Sequence, residues 1–303
     1  MRLSISNFSS CFIVKTLLFF AGMSILYYGL VGCVPKDIYG TTQWQTNVLK
    51  AQGYAFSPKH YSIVMTGSSE LYNVHIERVS RNAFNLCFSG RGSATGLDII
   101  LGREKKPSVI LVEMNRTIAE STDVSLIEKT AFWHWLPWNR ENTRPDYLLH
   151  SIRLGLSAYL KQKVHYVRRI DEKTNTDILQ MAQESYSKAL EKQELHNLRM
   201  GGLNAKRKID ALKNEGVRIF LVESPHDESL YNSPRDRQIR DVLTEIFPYN
   251  QYDWITVDWK DYVTRDGFHL CELSAEKFAG LLLRRIDSME STSRELVVRE
   301  SRN

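Results

Sequence analysis

Apolar residues in this chain gather in short unbroken runs separated by longer mixed stretches. Ile63-Val-Met65, Ala83 to Phe88, Ser108-Val-Ile-Leu-Val112 and Val217-Arg-Ile-Phe-Leu-Val222 are such runs, and a fifth lies around Trp254 to Val257. Strands covered on both faces read as continuous apolar runs and not as alternation. Between them, Glu70 to Ser80, Ser93 to Gly102 and Ser274 to Ile286 read as helices. In the last of these Ala275, Phe278, Ala279, Leu282 and Leu283 recur at helical spacing, with Ser274 as the expected N-cap. Strand following helix in this order predicts parallel βαβ units. The expected class is α/β: a three-layer α/β/α domain over residues 61–286 with a five-stranded parallel sheet. Residues 118–215 interrupt it between the third and fourth strands as an insertion, mainly helical from Tyr147 to Glu215, and Gly216 suits a helix C-cap. Residues 37–60 read as a connector punctuated by Gly40, Gly53 and Pro58, and residues 287–303 as a frayed polar tail.

The first 36 residues follow a different pattern. No charge lies between Lys15 and Lys36, and Phe12 to Val34 is apolar enough to match the roughly 20 residues a membrane helix needs. Arg2 and Lys15 precede the uncharged part, which begins at Thr16, and no acid comes before Asp37, which predicts a cytoplasmic N-terminus and an extracytoplasmic domain. Leu30-Val31-Gly32-Cys33 also fits a lipoprotein cleavage site, with Cys33 as the lipidated residue. Signal anchor and lipoprotein both stand as readings, and both tether the domain to a membrane.

Composition narrows the classes further. The 303 residues are 43% hydrophobic and 25% charged, as in ordinary globular chains. The net charge of +5 is spread out apart from a short cluster from Lys161 to Arg169, so no nucleic-acid partner is expected. No Cys/His spacing suggests a metal and no Walker-type loop is present, so no cofactor is expected. Cys11 and Cys33 belong to the apolar segment; Cys87, within Phe84-Asn-Leu-Cys-Phe88, reads as a buried strand residue, and Cys271 follows the histidine motif described next.

Two motifs carry chemistry. Tyr61-Ser-Ile-Val-Met-Thr-Gly67-Ser68-Ser69-Glu70-Leu71 runs from a buried strand into a Gly-Ser-Ser turn. Ligands gather beyond the carboxyl ends of strands in open parallel sheets, and a following helix would favour negative charge at its N-terminus. Near the other end, Asp266-Gly-Phe-His269 puts a carboxylate three residues before an imidazole. Hydroxyl, base and acid are the parts of an activated serine nucleophile.

The order Ser, then Asp-x-x-His, resembles the SGNH/GDSL hydrolase superfamily, over residues 61–119 and 217–286. Gly67-Ser68-Ser69-Glu70-Leu71 is similar to the membrane-anchored D-alanine transfer proteins of teichoic-acid modification, and the domain also resembles alginate acetyltransferase-like proteins. The resemblance implies Ser69 as nucleophile, His269 as base and Asp266 as its orienting acid. It implies an oxyanion hole from the Ser69 amide, Gly90 after the second strand and the Asn115 side chain after the third. Ser68 stands where the superfamily usually has Asp, and the usual Gly-x-Asn-Asp block around Asn115 is absent.

The implied function is an extracytoplasmic serine O-acyltransferase or esterase acting on acyl groups of an envelope polysaccharide in a bacterium, with a membrane acyl-donor protein as a further candidate partner. A hydrolase of small esters or lipids is the close alternative. A non-catalytic envelope scaffold that keeps the fold is the other. Trp133, Trp135 and Trp138 in the insertion have three readings: a packed subdomain core, rings at a membrane interface, or a stacking surface for the acceptor sugar. His134 among them reads as a packing residue.

Overall fold

The computed structural model describes residues 10–33, 42–131 and 175–300. The chain divides into two compact units, residues 1–49 with 132–167, and residues 50–131 with 168–303. In the first unit, α1 (Ser10–Cys33) is one helix of 24 residues. Its Leu17, Leu18, Phe19, Phe20, Ile25 and Leu26 side chains are exposed. Among the described residues no helix is long and apolar enough to cross a membrane, so the span expected over residues 12–34 is not shown. Residues predicted as connector contain α2 (Gln43–Ala55), which begins in this unit and continues into the second.

The second unit is an α/β domain. Its strands β1 (Ile63–Gly67), β2 (Ala83–Cys87), β3 (Val109–Glu113), β4 (Arg218–Val222) and β5 (Asp253–Ile255) form one parallel sheet in the order β2-β1-β3-β4-β5. Leaving β1, the chain moves to one side for β2 and then to the other for β3. The carboxyl ends of β1 and β3 therefore meet at the switch point, where ligands bind in sheets of this kind.

Helices cover both faces. Met65, Leu111, Phe220 and Val222 point to one face and pack with Ala275, Phe278, Leu282 and Ile286 of α9 (Glu272–Glu300). Thr66, next to Met65, points the other way. There α4 (Ser93–Leu101) comes so close that a Cβ on Gly96 would sit 1.8 Å from Thr66 Oγ1. The insertion supplies α5 (Val124–Glu128), α6 (Thr176–Tyr186) and α7 (Lys192–Asn214), followed after β4 by α8 (Pro234–Ile246). Gly216 takes φ +83° after α7, as a C-cap glycine does.

Three expectations change. The helix expected over residues 70–80 is only α3 (Ile76–Val79). The buried Asn85 amide explains this, because its Nδ2 donates to the carbonyls of Leu71, Tyr72 and Val74 at 2.9, 3.2 and 2.8 Å. Those carbonyls are drawn away from a helical ladder. Ser274 lies inside α9 instead of capping it, and its Oγ accepts from the Val263 amide at 2.8 Å. Finally, α9 continues through the expected frayed tail to Glu300; residues 287–300 contain no Gly or Pro to stop it.

Candidate active site

Ser69 leaves the end of β1 at the switch point. Gly67 is the residue that permits the turn, since a Cβ there would meet Glu113 Oε2 at 2.5 Å and Glu113 Cβ at 2.7 Å. The two adjacent serines have separate environments. Ser68 is buried, and its Oγ accepts from the Glu70 amide at 3.2 Å and from Asn115 Nδ2 at 3.3 Å. Ser69 is half-buried, and its Oγ lies 3.0 Å from His269 Nε2.

His269 stands on a turn held at several points. An isolated bridge pairs Thr264 with Leu270, and the Arg265 amide donates to the His269 carbonyl at 2.7 Å. Asp266 Oδ1 accepts from the Phe268 and His269 amides at 3.1 and 2.9 Å, while Oδ2 is 2.7 Å from His269 Nδ1. Gly267 takes φ +96°, a backbone state that suits glycine, and Leu230 and Leu179 close over it. Leu179 belongs to α6, whose Ala182 and Tyr186 join Leu230 and Phe268 in a small apolar cluster. The insertion therefore packs on the histidine turn.

The electrostatics follow from these contacts. Burial alone would raise the Asp266 carboxyl, but hydrogen bonds from the His269 ring and the turn amides hold it at about 2. The bond to Asp266 raises His269 above its ordinary value against the opposing effect of burial. Nδ1–H donates to the carboxylate, so in the neutral ring Nε2 carries the lone pair that accepts the Ser69 hydroxyl proton.

The other predicted residues are placed less simply. Gly90 lies in the turn after β2 with φ +68°. Among the described residues, the backbone amides of Ser69 and Gly90 donate to no protein acceptor. Asn115 is buried after β3; its Oδ1 accepts from the Thr117 amide and hydroxyl at 2.9 and 2.6 Å, and its Nδ2 is turned toward Ser68. Its amide thus braces the nucleophile turn in this structure. The helix N-terminus expected directly after Ser69 is absent, since residues 70–73 form a turn and α3 begins only at Ile76. Trp133, Trp135, Trp138, His134 and the Lys161–Arg169 cluster lie outside the described residues. Cys33 ends α1, and its side chain lies outside them too. Cys87 and Cys271 are both buried, and burial pushes the Cys87 thiol up. Among the described residues no group of three or more metal-ligating side chains comes together.

Behind the serine turn is a buried charged group that the motifs did not reveal. Glu70 Oε2 lies 3.0 Å from His226 Nε2, and Asp236 Oδ1 is 3.9 Å from the other ring nitrogen. Burial would lower His226, but the two carboxylates outweigh it and raise it to about 10. Glu70 is lowered by His226 despite its burial. Glu113, fully buried at the end of β3, behaves in the opposite way: burial and the Glu70 charge push its carboxyl up to about 8. The Ser68 amide donates to Glu113 Oε2. A lone acidic residue directly after each strand end, Glu70 after the β1 turn and Glu113 closing the apolar Val109–Val112 run, was the available signal.

Comparison with family models, curated proteins and solved structures returns no match for this chain.

Proposed function

We propose that this protein is an extracytoplasmic serine acyl-ester enzyme, an O-acyltransferase or esterase working on acyl groups of a cell-envelope polysaccharide. One observation carries the chemistry: a half-buried serine hydroxyl 3.0 Å from an imidazole whose other nitrogen is 2.7 Å from a carboxylate. A serine alcohol is a weak nucleophile until an adjacent base accepts its proton.

Ser69 Oγ attacks the acyl carbonyl as His269 Nε2 takes the hydroxyl proton. The carbonyl oxygen becomes an oxyanion, for which the Ser69 and Gly90 amides are the candidate donors; one such donor contributes about 3–4 kcal/mol in serine enzymes. Collapse expels the alcohol, which leaves with the proton from His269, and an acyl-serine remains. A sugar hydroxyl or water then attacks the acyl carbon, again giving its proton to His269, and collapse breaks the acyl–Oγ bond as His269 returns that proton to Ser69. The sugar hydroxyl yields transfer and water yields hydrolysis. Asp266 keeps the imidazole in the productive tautomer throughout.

The resemblance of Gly67-Ser68-Ser69-Glu70-Leu71 and Asp266-Gly-Phe-His269 to the SGNH/GDSL superfamily supports the same roles. The uncharged stretch before Lys36, preceded by Arg2 and Lys15, supports tethering at the outer face of a membrane. A fluorophosphonate probe tests the chemistry. Labelling that disappears in Ser69→Ala and falls sharply in His269→Ala is expected. Folded protein that never labels would instead favour a non-catalytic scaffold.

A further inference from the structure

Arg116 follows Asn115 at the carboxyl end of β3, beside the proposed nucleophile turn, and its side chain is exposed. Its guanidinium carbon lies 5.3 Å from the Phe268 ring centroid and 5.9 Å from that of Tyr186. Those rings are 5.1 Å apart, so the cation rests against an aromatic corner. Phe268 directly precedes His269. The corner is itself fixed, because Tyr186 is buried and the His226 ring meets Phe268 edge-on at 5.3 Å. Stacking of this kind attracts a guanidinium and orients its plane while leaving the N–H edge available for a ligand.

Among the described residues Arg116 forms no ion pair and no side-chain hydrogen bond. Its neighbours are otherwise engaged. Arg235 pairs with Glu194 through two hydrogen bonds, at 3.1 and 2.9 Å. Burial raises the Glu120 carboxyl against the opposing charges of Arg91 and Arg116. Together with Thr117, Asn197, Glu120 and the paired Arg235 and Glu194, Arg116 lines a cavity of about 220 Å³, which has room for a small polar group.

We propose that Arg116 is a specificity-determining residue: it binds a carboxylate or phosphate group carried by the ester substrate and so sets the reacting carbonyl against Ser69. The inference rests on the serine reading above and adds a substrate class to it, esters bearing an anion near the reacting bond. A guanidinium fork suits both anions, since each offers two oxygens to parallel N–H donors.

The test compares p-nitrophenyl acetate, a neutral ester, with mono-p-nitrophenyl succinate, an anionic one, in the full chain. The ratio of kcat/KM for the anionic over the neutral ester should exceed one. It should fall on the order of 10–100-fold in Arg116→Gln, the size of a lost charge-assisted pair, and less in Arg116→Lys. Inorganic phosphate and succinate, titrated separately by calorimetry, tell the two anion classes apart, and binding of at least one should vanish in Arg116→Gln. A ratio unchanged by Arg116→Gln, or anion binding equal in both proteins, overturns the proposal. If neither ester is cleaved and the fluorophosphonate does not label, the serine reading fails. The titrations then decide Arg116 alone: loss of binding in the variant supports the anion site, and equal binding overturns it.

Discussion

The backbone amide of Ser68 donates to the buried side chain of Glu113, which reaches from the end of β3 past Gly67. This bond ties the proposed nucleophile turn to the central strand. It also ties folding to a proton. Glu113 keeps its proton up to about pH 8 in the folded protein but releases it near pH 4.3 when unfolded. The unfolded state therefore binds fewer protons between those values, and stability falls as pH rises through that window. Glu113→Gln keeps an oxygen acceptor for Ser68 and removes the titration. Urea midpoints measured at pH 5 and pH 8 should show a smaller fall in the variant than in the native protein.

Asp266 predicts a pH profile. His269 must be neutral to act as base, so kcat/KM for an ester should rise with pH through the His269 pKa. The hydrogen bond from Asp266 raises that pKa. In Asp266→Asn the rising limb should move to lower pH, while the plateau drops on the order of 10³–10⁴-fold from loss of the correct tautomer. A limb that stays in place would contradict the role given to Asp266.

Glu70 and His226 form a buried pair, and removing Glu70 leaves His226 only the more distant Asp236 at 3.9 Å. Glu70→Gln should cost about 3–5 kcal/mol of stability, read by chemical denaturation at pH 7. Because His226 is raised to about 10, the pair's contribution is complete below roughly pH 6.5 and is lost as pH climbs through 10. The variant should therefore lose less stability than the native protein over that alkaline range.

Gly267→Ala should damage the candidate site more than the fold. The residue has φ +96°, and an added Cβ would come within 2.7 Å of Leu230 Cδ1 and 3.0 Å of Leu179 Cδ1. The leucine tips can give way, but the positive φ strains any residue with a Cβ, and relief of that strain shifts the turn carrying His269. Ester turnover and fluorophosphonate labelling should fall at least tenfold, while a cost of about 1–3 kcal/mol leaves the protein folded by circular dichroism.

What could be read in advance follows from range. The five strands were legible because burial on both faces writes itself as local apolar runs, and Ser69 and His269 because each sits in a short motif with a turn residue beside it. Asn85 was not legible as a carbonyl acceptor's partner, and the helix expected after Ser69 failed for that reason: the propensity of residues 70–80 was overruled by one amide from the next strand. The Glu70–His226 pair joins residues 156 positions apart and leaves no periodic trace. The same holds for Leu179 and Tyr186, which reach the histidine turn from within the insertion through contacts that no local pattern marks. In α2 the buried Val48, Ala51 and Tyr54 recur at helical spacing, but Gly53 and Pro58 made the segment read as a connector.

Asn85 has a consequence for motion. One side chain holds three carbonyls between Leu71 and Val74, and its own Oδ1 accepts from the Cys87 amide at 2.8 Å. The carbonyls after Ser69 are thus gathered on one buried amide anchored in β2, in place of a helix ladder, while Glu70 is held separately by His226. Such a segment opens as one cooperative unit or stays shut. The loop behind the serine is built like a latch with two catches, the Asn85 amide on its carbonyls and His226 on Glu70.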